Sequence, residues 1–454
     1  MGRLFGTDGA RGIAITELTC ETAMNIGRAA ALVLTKTTNK KPKILIGKDT
    51  RVSGDVLEAA LVAGICSVGA DAHILGVVPT PAVAMLVKKY EADAGVMISA
   101  SHNPVEFNGI KLFGPRGLKR SDDEEARVER LMEQPRSLPI GGGVGRVTTT
   151  DGTAHYIDHL RRSGPYDLSG LKIAVDCANG AACTTAPQLF DGLGARVHIL
   201  NAAPDGVNIN RECGSTHLSA LSEYVTSHGL DCGVAFDGDA DRCLAVDEYG
   251  REVDGDAILA MCALDMKARG QLSHNTLVAT VMSNMGLSRF CRRHGIILRT
   301  APVGDRYVWE EMVRGGYCLG GEQSGHIIFR RFAAAGDGQL TALRLLSLLG
   351  ESGQTLSKAA SVMTRFPQVT QNVAVSPRGK AALDSDGQIA AAARQARAQL
   401  GDEGRLLIRA SGTEPLIRVM VECSDEALMG RVARNMADVI RERLCGLESH
   451  QTSP

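Results

Sequence analysis

Short apolar runs alternate with longer helical patterns over most of the chain. KILIGK from Lys43, KIAVD from Lys172 and TLVAT from Thr276 each precede a stretch with helical periodicity. Apolar runs of this length between helices are typical of buried strands in parallel sheets joined by helical crossovers. The pattern therefore predicts an α/β fold with mixed, mostly parallel sheets.

An internal repeat divides this pattern into three copies. GADAHILGVVP (Gly69–Pro79) resembles GARVHILNAAP (Gly194–Pro204), and HGIILRTAP (His294–Pro302) is a weaker third copy. A further short apolar run follows each copy. Repetition of this kind indicates that one supersecondary unit is used several times. We therefore expect three related α/β domains.

The pattern changes after residue 366. The runs QNVAVS, RLLIRAS and PLIRVMVEC alternate with two helical stretches, which is typical of an α+β unit. This unit would form a fourth, C-terminal domain. The expected domains are residues 1–150, 151–253, 254–366 and 367–454.

Polar residues concentrate in the loops that follow the last strand of each copy. These loops read SASHNP (Ser99–Pro104), DGDADR (Asp237–Arg242) and GEQSGH (Gly321–His326). Ligands of open α/β sheets bind beyond the carboxyl ends of the strands. We therefore expect the three equivalent loops to converge on one central cleft.

Composition and charge narrow the classes of function. The chain has 454 residues, and its 50 basic and 51 acidic residues leave a formal net charge of −1. That balance gives no global electrostatic reason to bind nucleic acid or an anionic membrane. With 51 glycines and only 4% aromatic residues, the chain suits backbone contact with phosphates better than stacking on bases. A phosphate-handling protein is favoured.

The cysteines and the apolar segments indicate a compartment. Twelve cysteines are scattered from Cys20 to Cys445 without any CxxC pair, so a zinc site is not expected. The first residues, MGRLFGTDGARG, contain no apolar signal core, and no apolar run reaches about 18 residues. We expect free thiols in a reducing compartment, no membrane span and a cytoplasmic location.

The loop DGDADR carries the most specific chemistry. It places Asp237, Asp239 and Asp241 at alternate positions after a strand. An oxygen-only ligand set suits a hard divalent cation, and Mg²⁺ is favoured when phosphate is present. For this motif alone, a solvated acidic turn stays open.

The loop SASHNP offers a hydroxyl beside such a metal site. Ser101 could accept a phosphoryl group while a divalent ion stabilises the transferring charge. A serine hydrolase is not favoured because the G-x-S-x-G elbow is absent. GKDTR (Gly47–Arg51) superficially resembles a P-loop, but Pro42 stands where the first glycine is required.

Two further loops suit a phosphosugar. Glu322 and Ser324 in GEQSGH can accept from and donate to sugar hydroxyls. Arg409, Ser411 and Thr413 in RASGTEP can bind a distal phosphate, because glycine lets backbone N–H groups turn toward an anion. Each loop alone also fits an ordinary turn. Together the four loops indicate phosphoryl transfer on a phosphosugar.

In these motifs the chain resembles the α-D-phosphohexomutases, and within that superfamily the bacterial phosphoglucosamine mutases. The resemblance covers essentially the whole length. It is carried, in order, by FGTDGARG (Phe5–Gly12), ISASHNP, NGIKLF (Asn108–Phe113), FDGDADR, VGDRY (Val303–Tyr307), GGEQSGH and SGTEPLIRVM (Ser411–Met420). The wording of GEQSGH and VGDRY favours the glucosamine branch.

The resemblance implies four domains around a deep cleft. It also implies a specific reaction. Glucosamine 6-phosphate and glucosamine 1-phosphate would be interconverted through a hexose 1,6-bisphosphate, which also serves as activator, for the synthesis of UDP-N-acetylglucosamine and peptidoglycan. Ser101 would be a phosphoserine in the active enzyme. One Mg²⁺ would be bound by Asp237, Asp239, Asp241 and a phosphate oxygen on Ser101.

The remaining roles follow from the same resemblance. Glu322 and Ser324 would hold sugar hydroxyls. The non-reacting phosphate would lie at Arg409, Ser411 and Thr413. The catalytic groups lining the site, with Lys111 and His326 as candidate proton carriers, would be Arg11, His102, Lys111, Arg242 and His326. The expected partner is a small phosphosugar, and a homodimer stays open.

Two of the departures from the family pattern lie in the metal loop and the phosphate loop. Ala240 stands where glycine is commoner, and the turn is expected to be kept if φ at this residue is negative. RASG replaces the more usual RPSG, which loosens the backbone before the phosphate loop. Neither departure removes a ligand.

Three other functions stay open from the sequence. A phosphomannomutase or phosphoglucomutase would share the site, because sugar choice can rest on few contacts. A metal-dependent sugar phosphatase would hydrolyse the serine phosphate. A phosphosugar sensor would bind without turnover.

Overall fold

The structure is a computed structural model, and the chain divides into two compact units. The residues it describes are 4–6, 8–34, 41–134, 137–411 and 414–445. The units comprise residues 1–283 with 291–362, and residues 284–290 with 363–454. The first unit holds three α/β sheets and the second holds a smaller antiparallel sheet. The four domain boundaries stay a prediction. Residues 284–290 fall inside the expected domain 254–366, but they group with the second unit.

The first sheet has seven strands. They are β1 Phe5–Gly6, β2 Gly9–Ile13, β3 Lys43–Lys48, β4 Asp71–Val77, β5 Ala94–Ile98, β6 Phe107–Phe113 and β7 Val147–Thr149. The helices in this stretch are α1 Cys20–Leu34, α2 Ser53–Ser67, α3 Thr80–Lys89 and α4 Asp122–Met132. The strand order is β1-β2-β6-β5-β3-β4-β7. All five residues of β5 are buried, as expected for a strand covered on both faces.

The second sheet has five strands. They are β8 Lys172–Asp176, β9 Arg196–Leu200, β10 Cys232–Phe236, β11 Cys243–Asp247 and β12 Glu252–Val253. The helices in this stretch are α5 Thr153–Arg161, α6 Ala186–Phe190 and α7 Ser219–His228. The strand order is β12-β11-β10-β8-β9.

The third sheet has four strands. They are β13 Thr276–Thr280, β14 Ile297–Ala301, β15 Leu319–Gly321 and β16 Ile327–Phe329. The helices in this stretch are α8 Gly255–Ala268, α9 Met285–Arg293, α10 Asp305–Gly315, α11 Gly338–Ser352 and α12 Leu356–Ala360. The strand order is β14-β13-β15-β16. Asp254 and Asp337 cap α8 and α11 through their side chains.

The three sheets share one arrangement, which confirms the predicted related α/β domains. In each, a central strand (β3, β8 or β13) pairs in parallel with two neighbours. One of those neighbours then turns back into an antiparallel hairpin, β5–β6, β10–β11 or β15–β16. The three polar loops of the sequence are the turns of these hairpins. They therefore occupy equivalent positions.

The second unit contains an α+β arrangement, as predicted. Its strands are β17 Gln368–Ala374, β18 Gly404–Ala410 and β19 Leu416–Cys423, and its later helices are α13 Pro377–Ala382, α14 Gly387–Leu400 and α15 Glu426–Leu444. The central strand β19 is antiparallel to both neighbours. Val419 and Val421 pack with Val432 and Met436 of α15 in a buried core. Short 3-10 turns in the described residues are Gly141–Gly143, Ala181–Thr184, Ser273–Asn275, Leu383–Ser385 and Gly401–Glu403.

Two further features concern the helices and the cysteines. Within the described residues, no helix is long and apolar enough to cross a membrane. All twelve cysteines lie in the described part of the chain, and each is a free thiol.

Candidate active site

Ser101 lies in the turn between β5 and β6 and is only 1% exposed. Its hydroxyl donates to Oδ2 of Asp237 at 2.5 Å, and its backbone N–H donates to the hydroxyl of Ser99 at 2.9 Å. Its φ of +54° lies in the left-handed region, which is uncommon for serine. A conformation of this kind persists only where the surroundings hold it.

A buried ion pair that the sequence reasoning missed holds the Ser101 turn. Arg51 lies 3.0 Å from Asp49, and Asp49 also accepts a hydrogen bond from Ser99 at 2.5 Å. The guanidinium group of Arg51 donates to three backbone carbonyls of the turn, those of Ser101, Asn103 and Pro104. GKDTR, rejected as a P-loop, therefore positions the turn that carries Ser101.

The three aspartates of DGDADR converge at the start of the β10–β11 hairpin. One oxygen from each of Asp237, Asp239 and Asp241 lies within 4.8 Å of the others, and all three residues are buried. Between them, Gly238 packs against the Ser101 turn. A Cβ on Gly238 would lie 2.5 Å from the carbonyl oxygen of Ser101, so only glycine permits this approach.

The carboxylate cluster fits a hard divalent cation. Asp239 and Asp241 each have a buried oxygen without a hydrogen-bond partner. Burial and the two neighbouring carboxylates raise the pKa of Asp237 above its usual range. A cation would relieve both the unpaired oxygens and the like-charge repulsion, and an oxygen-only donor set suits Mg²⁺.

Lys111 of β6 provides a buried positive charge beside the cluster. Its Nζ lies 2.6 Å from Asp239 and 3.5 Å from Asp241. Burial alone would lower the pKa of Lys111, but these two carboxylates raise it, so the amine is charged at neutral pH. Thr80, which the sequence reasoning also missed, donates to the same oxygen of Asp239 at 2.5 Å.

His326 stands between two carboxylates. Nδ1 lies 3.6 Å from Asp241, and Nε2 lies 3.3 Å from Asp305. Burial would lower the pKa of His326, but the two carboxylates raise it to about 9. The backbone N–H of Gly336 donates to the same Nε2 at 2.9 Å. This hydrogen bond stabilises the form of the imidazole in which Nε2 carries no proton. Both protonation states are therefore accommodated, as a proton carrier requires.

His102 and the arginines complete the surroundings of Ser101. Nδ1 of His102 lies 3.4 Å from the Ser101 hydroxyl. Burial, Arg242 and Arg11 lower the pKa of His102 to about 4, so its imidazole is neutral at pH 7. Arg11 donates to the side chain of Asn103 at 3.3 Å. These predicted residues are therefore brought together.

Arg242 and Lys119 add further positive charge. Arg242 lies 3.9 Å from Asp241 and 4.0 Å from Asp237. Lys119, which the sequence reasoning missed, lies 2.5 Å from Asp305 and 3.0 Å from Asp8. The sequence pointed to this contact only through the family motifs. Asp305 lies in VGDRY, and Asp8 lies in FGTDGARG.

Glu322 and Ser324 lie in the turn between β15 and β16. Glu322 accepts a hydrogen bond from the backbone N–H of Gly304 at 3.1 Å, and burial raises the pKa of Glu322. Ser324 is half-buried, and its hydroxyl has no hydrogen-bond partner in the described part of the chain. An acceptor and a donor are thus available, as a sugar diol needs.

The predicted phosphate-binding residues lie in the second unit. Arg409 pairs in register with Arg418 on β19, and burial together with Arg418 lowers the pKa of Arg409. The hydroxyl of Ser411 accepts from the backbone N–H of Glu414 at 3.2 Å. Thr413 lies outside the described residues. The role of all three as phosphate ligands stays a prediction.

The conformation of Ala240 differs from the expected one. Its φ is +55°, in the left-handed region, although the turn was expected to tolerate alanine through a negative φ. The turn is kept because the backbone N–H of Ala240 donates to Asp237 and its carbonyl accepts from Gly338. For alanine, this conformation costs about 1–2 kcal/mol.

Family models cover nearly the whole chain. They are those described as phosphoglucomutase/phosphomannomutase alpha/beta/alpha domain I (residues 2–138), domain II (154–250), domain III (254–366) and the C-terminal domain (371–439).

Full-length relatives are also found. The chain is 52% identical over 447 residues to the phosphoglucosamine mutase of Clostridium novyi, which covers 98% of this chain and 99% of the relative. It is 51% identical over 448 residues to the phosphoglucosamine mutase of Acetivibrio thermocellus, covering 98% and 100%.

Solved structures show the same fold. A phosphoglucomutase/phosphomannomutase family protein from Burkholderia thailandensis matches with a TM-score of 0.83 and 24% identity, over 98% of this chain and 99% of that chain. The N-acetylphosphoglucosamine mutase of Aspergillus fumigatus, in complex with GlcNAc-6P and magnesium, matches with a TM-score of 0.71 and 19% identity, over 97% and 96%.

Proposed function

The chain belongs to the phosphoglucomutase/phosphomannomutase family, and from this premise we propose that it interconverts glucosamine 6-phosphate and glucosamine 1-phosphate. The full-length relatives at about half identity are phosphoglucosamine mutases. They favour the amino sugar over the glucose or mannose phosphates of the alternative. The enzyme would supply the precursor of UDP-N-acetylglucosamine.

The position of the Ser101 hydroxyl is the observation that carries the proposal. It is buried and lies 2.5 Å from Asp237, within a cluster of three carboxylates and the charged amine of Lys111. Burying charged groups costs desolvation free energy. A serine with only a structural role would not need opposite charges around it. A hydroxyl that carries a phosphoryl group does need them.

In the proposed reaction, Ser101 enters as a phosphoserine. The free hydroxyl of the substrate attacks the phosphorus, the new bond to the sugar oxygen forms, and the bond to Oγ of Ser101 breaks. The resulting hexose 1,6-bisphosphate turns over, and its other phosphate returns to Ser101. Phosphate is conserved, and burial of Ser101 protects the phosphoserine from water.

The charged residues position and stabilise the transferring group. Asp237, Asp239 and Asp241, with a phosphate oxygen on Ser101, would hold one Mg²⁺. When bound, this ion stabilises negative charge on the phosphoryl oxygens. Lys111 supplies a fixed positive charge next to the same carboxylates, so it can stabilise that charge or move a proton.

The proton carriers and sugar ligands are also part of the proposal. His326 can hold or release a proton at Nε2, between Asp305 and the N–H of Gly336. Glu322 and Ser324 would bind the sugar hydroxyls. The non-reacting phosphate would be bound by Arg409, Ser411 and Thr413, the only predicted ligands in the second unit. Because the bisphosphate presents either phosphate to Ser101, these residues must accept both orientations.

We further place the enzyme in the cytoplasm. The twelve free thiols support this location, because unpaired cysteines are typical of a reducing compartment. A homodimer stays a prediction.

Intact-protein mass and an isomerisation assay test the proposal together. After incubation with glucose 1,6-bisphosphate, the mass should rise by one phosphoryl group, and purified protein should convert glucosamine 6-phosphate to glucosamine 1-phosphate. Ser101→Ala should abolish both. The matched control Ser99→Ala changes the neighbouring hydroxyl, which contacts Asp49, and should keep phosphate incorporation.

Each alternative has its own outcome. Inorganic phosphate released in step with substrate loss would indicate a phosphatase. A kcat/KM for glucose or mannose phosphates equal to that for glucosamine phosphates would overturn the choice of sugar. Absence of any turnover would favour a sensor, and phosphate incorporation lost in Ser99→Ala instead of Ser101→Ala would move the nucleophile.

A further inference from the structure

A cavity in the first unit lies apart from the Ser101 cluster. Its volume is about 730 Å³, and it is lined by α3, α5, α10 and residues 330–335. It shares no lining residue with the candidate active site. This volume lies within the range of small-molecule sites in proteins, which is roughly 300–1,000 Å³.

Six positively charged side chains line this cavity. Arg162 is paired with Asp158, and the other five are Lys88, Lys89, Arg116, Arg330 and Arg331. Within the described residues, none of these five side chains forms an ion pair or a hydrogen bond. Arg330 is half-buried and the other four are exposed, so their charges can reach an anion in the cavity. Because the formal net charge of the chain is −1, general basicity does not explain the cluster.

The acidic residues of the cavity do not neutralise these charges. Asp158 forms an ion pair with Arg162 at 2.8 Å. Asp337 accepts a hydrogen bond from Tyr156 at 2.9 Å and caps α11. Both carboxylates are engaged, so the five cations are available for an external anion.

One wall of the cavity carries a flat aromatic ring. Trp309 of α10 is the single tryptophan of the chain, and it lines the cavity while partly buried. Arg331, on another wall, lies over the ring of Phe332 at 5.5 Å. Positive charge with an aromatic face suits a ligand that combines phosphates with a planar ring.

We propose that this cavity binds a nucleoside diphosphate, with the phosphates at the cluster of Lys and Arg side chains and the base near Trp309. The proposal does not rest on the proposed mutase function. The cavity lining includes Ala335, and the next residue, Gly336, donates its N–H to His326. An occupant would therefore contact the segment that holds a candidate catalytic residue.

Fluorescence of Trp309 in the full-length protein tests the proposal directly, because no other tryptophan contributes. Titration with ADP should change the fluorescence saturably, and added salt should weaken binding. The variant K88Q/R331Q should bind ADP about tenfold more weakly, since two ionic contacts are lost. The matched control R127Q/R130Q removes two exposed charges from α4, outside the cavity, and should bind like the unmodified protein.

Competition identifies which part of the ligand is bound and where. Pyrophosphate should displace ADP more effectively than adenosine, because the phosphates meet the charges. Glucose 1,6-bisphosphate at concentrations that saturate turnover should leave ADP bound. The proposal is overturned if ADP produces no saturable change, if K88Q/R331Q binds ADP normally, or if glucose 1,6-bisphosphate displaces it completely.

Discussion

The cluster around Ser101 and the end of β18 at Arg409 differ in whether their charged side chains are paired. In the cluster, buried charges are paired: Lys111 lies 2.6 Å from Asp239, and Arg51 lies 3.0 Å from Asp49. In the second unit, Arg409 is opposite Arg418 and has no ion-pair partner in the described part of the chain. The charges of the Ser101 cluster are therefore neutralised and held in place by each other. The charge of Arg409 is available to an external anion.

This difference is what the two tasks proposed for these regions would require. A chemical step gains most from groups held in place before the transition state forms, and paired buried charges hold each other. A binding step gains from a charge whose partner is the ligand itself. We therefore expect changes in the cluster to act mainly on kcat and changes at Arg409 to act mainly on KM.

Among the variants that keep Ser101, the largest effect is expected for Asp239→Asn. The substitution removes one negative charge from the cluster and weakens cation binding, so kcat should fall on the order of 100- to 1,000-fold. Folding should be preserved without metal, because relief of the repulsion among three buried carboxylates offsets the weakened Lys111–Asp239 pair, and Asp241 still lies 3.5 Å from Lys111. The increase in Tm caused by Mg²⁺ should therefore largely disappear, while the Tm without Mg²⁺ stays unchanged or rises.

A buried aspartate at the other end of β11 provides the control. Asp247 accepts hydrogen bonds from the backbone N–H groups of Tyr249 and Arg251. Asp247→Asn should lower the Tm and keep the response to Mg²⁺. If Asp239→Asn kept both the Mg²⁺ response and kcat, the cluster would not be the metal site.

Arg51→Lys should have the next largest effect. Lysine keeps the charge but cannot donate to Asp49 and to several carbonyls of the Ser101 turn at once. Displacement of the turn should lower kcat about 10- to 100-fold with little change in KM. Steady-state kinetics with phosphoserine content measured by intact mass would separate slow transfer from absent phosphorylation.

Arg28→Lys is the matched control, because Arg28 donates to Ser67 in the same unit and does not contact the turn. It should leave kcat unchanged. Equal losses of kcat in the two variants, in proportion to their losses of stability, would mean that Arg51 acts only on folding.

Arg409→Gln should raise KM about tenfold and leave kcat within a factor of a few, because one charged hydrogen bond to phosphate is lost. Kinetics with glucosamine 6-phosphate would show this. The exposed Arg394 of α14 offers a control, and Arg394→Gln should change neither value. A fall in kcat larger than the rise in KM would contradict the division of tasks between the two regions.

The sequence allowed the positions of the main loops to be predicted. The repeat places SASHNP, DGDADR and GEQSGH after equivalent strands, and the equivalent ends of these strands bring Ser101 to Asp237. Local patterns were sufficient here, because a strand followed by closely spaced polar residues is visible in a short window.

The contacts that fix these loops could not be predicted in this way. Arg51 and the carbonyl of Ser101 are 50 residues apart in sequence, and Lys119 and Asp8 are 111 apart. Such pairs leave no local pattern, because only the folded chain brings them together. The φ of Ala240 was also missed, since contacts with Asp237 and Gly338 set it.

The smallest effect is expected for Ala240→Gly. Removing the left-handed strain should raise the free energy of unfolding by about 1–2 kcal/mol. Two losses oppose this gain. Glycine has more conformational freedom in the unfolded chain, which costs about 0.5–1 kcal/mol, and the buried methyl group is lost, which costs about 0.8 kcal/mol. The free energy of unfolding, measured with urea, should therefore change by less than about 1 kcal/mol in either direction, and kcat should stay the same. Ala178, also buried with φ of +55° but not part of the carboxylate cluster, gives the matched variant Ala178→Gly. If only Ala240→Gly lowered kcat, the methyl group of Ala240 would be needed to hold the aspartates in position.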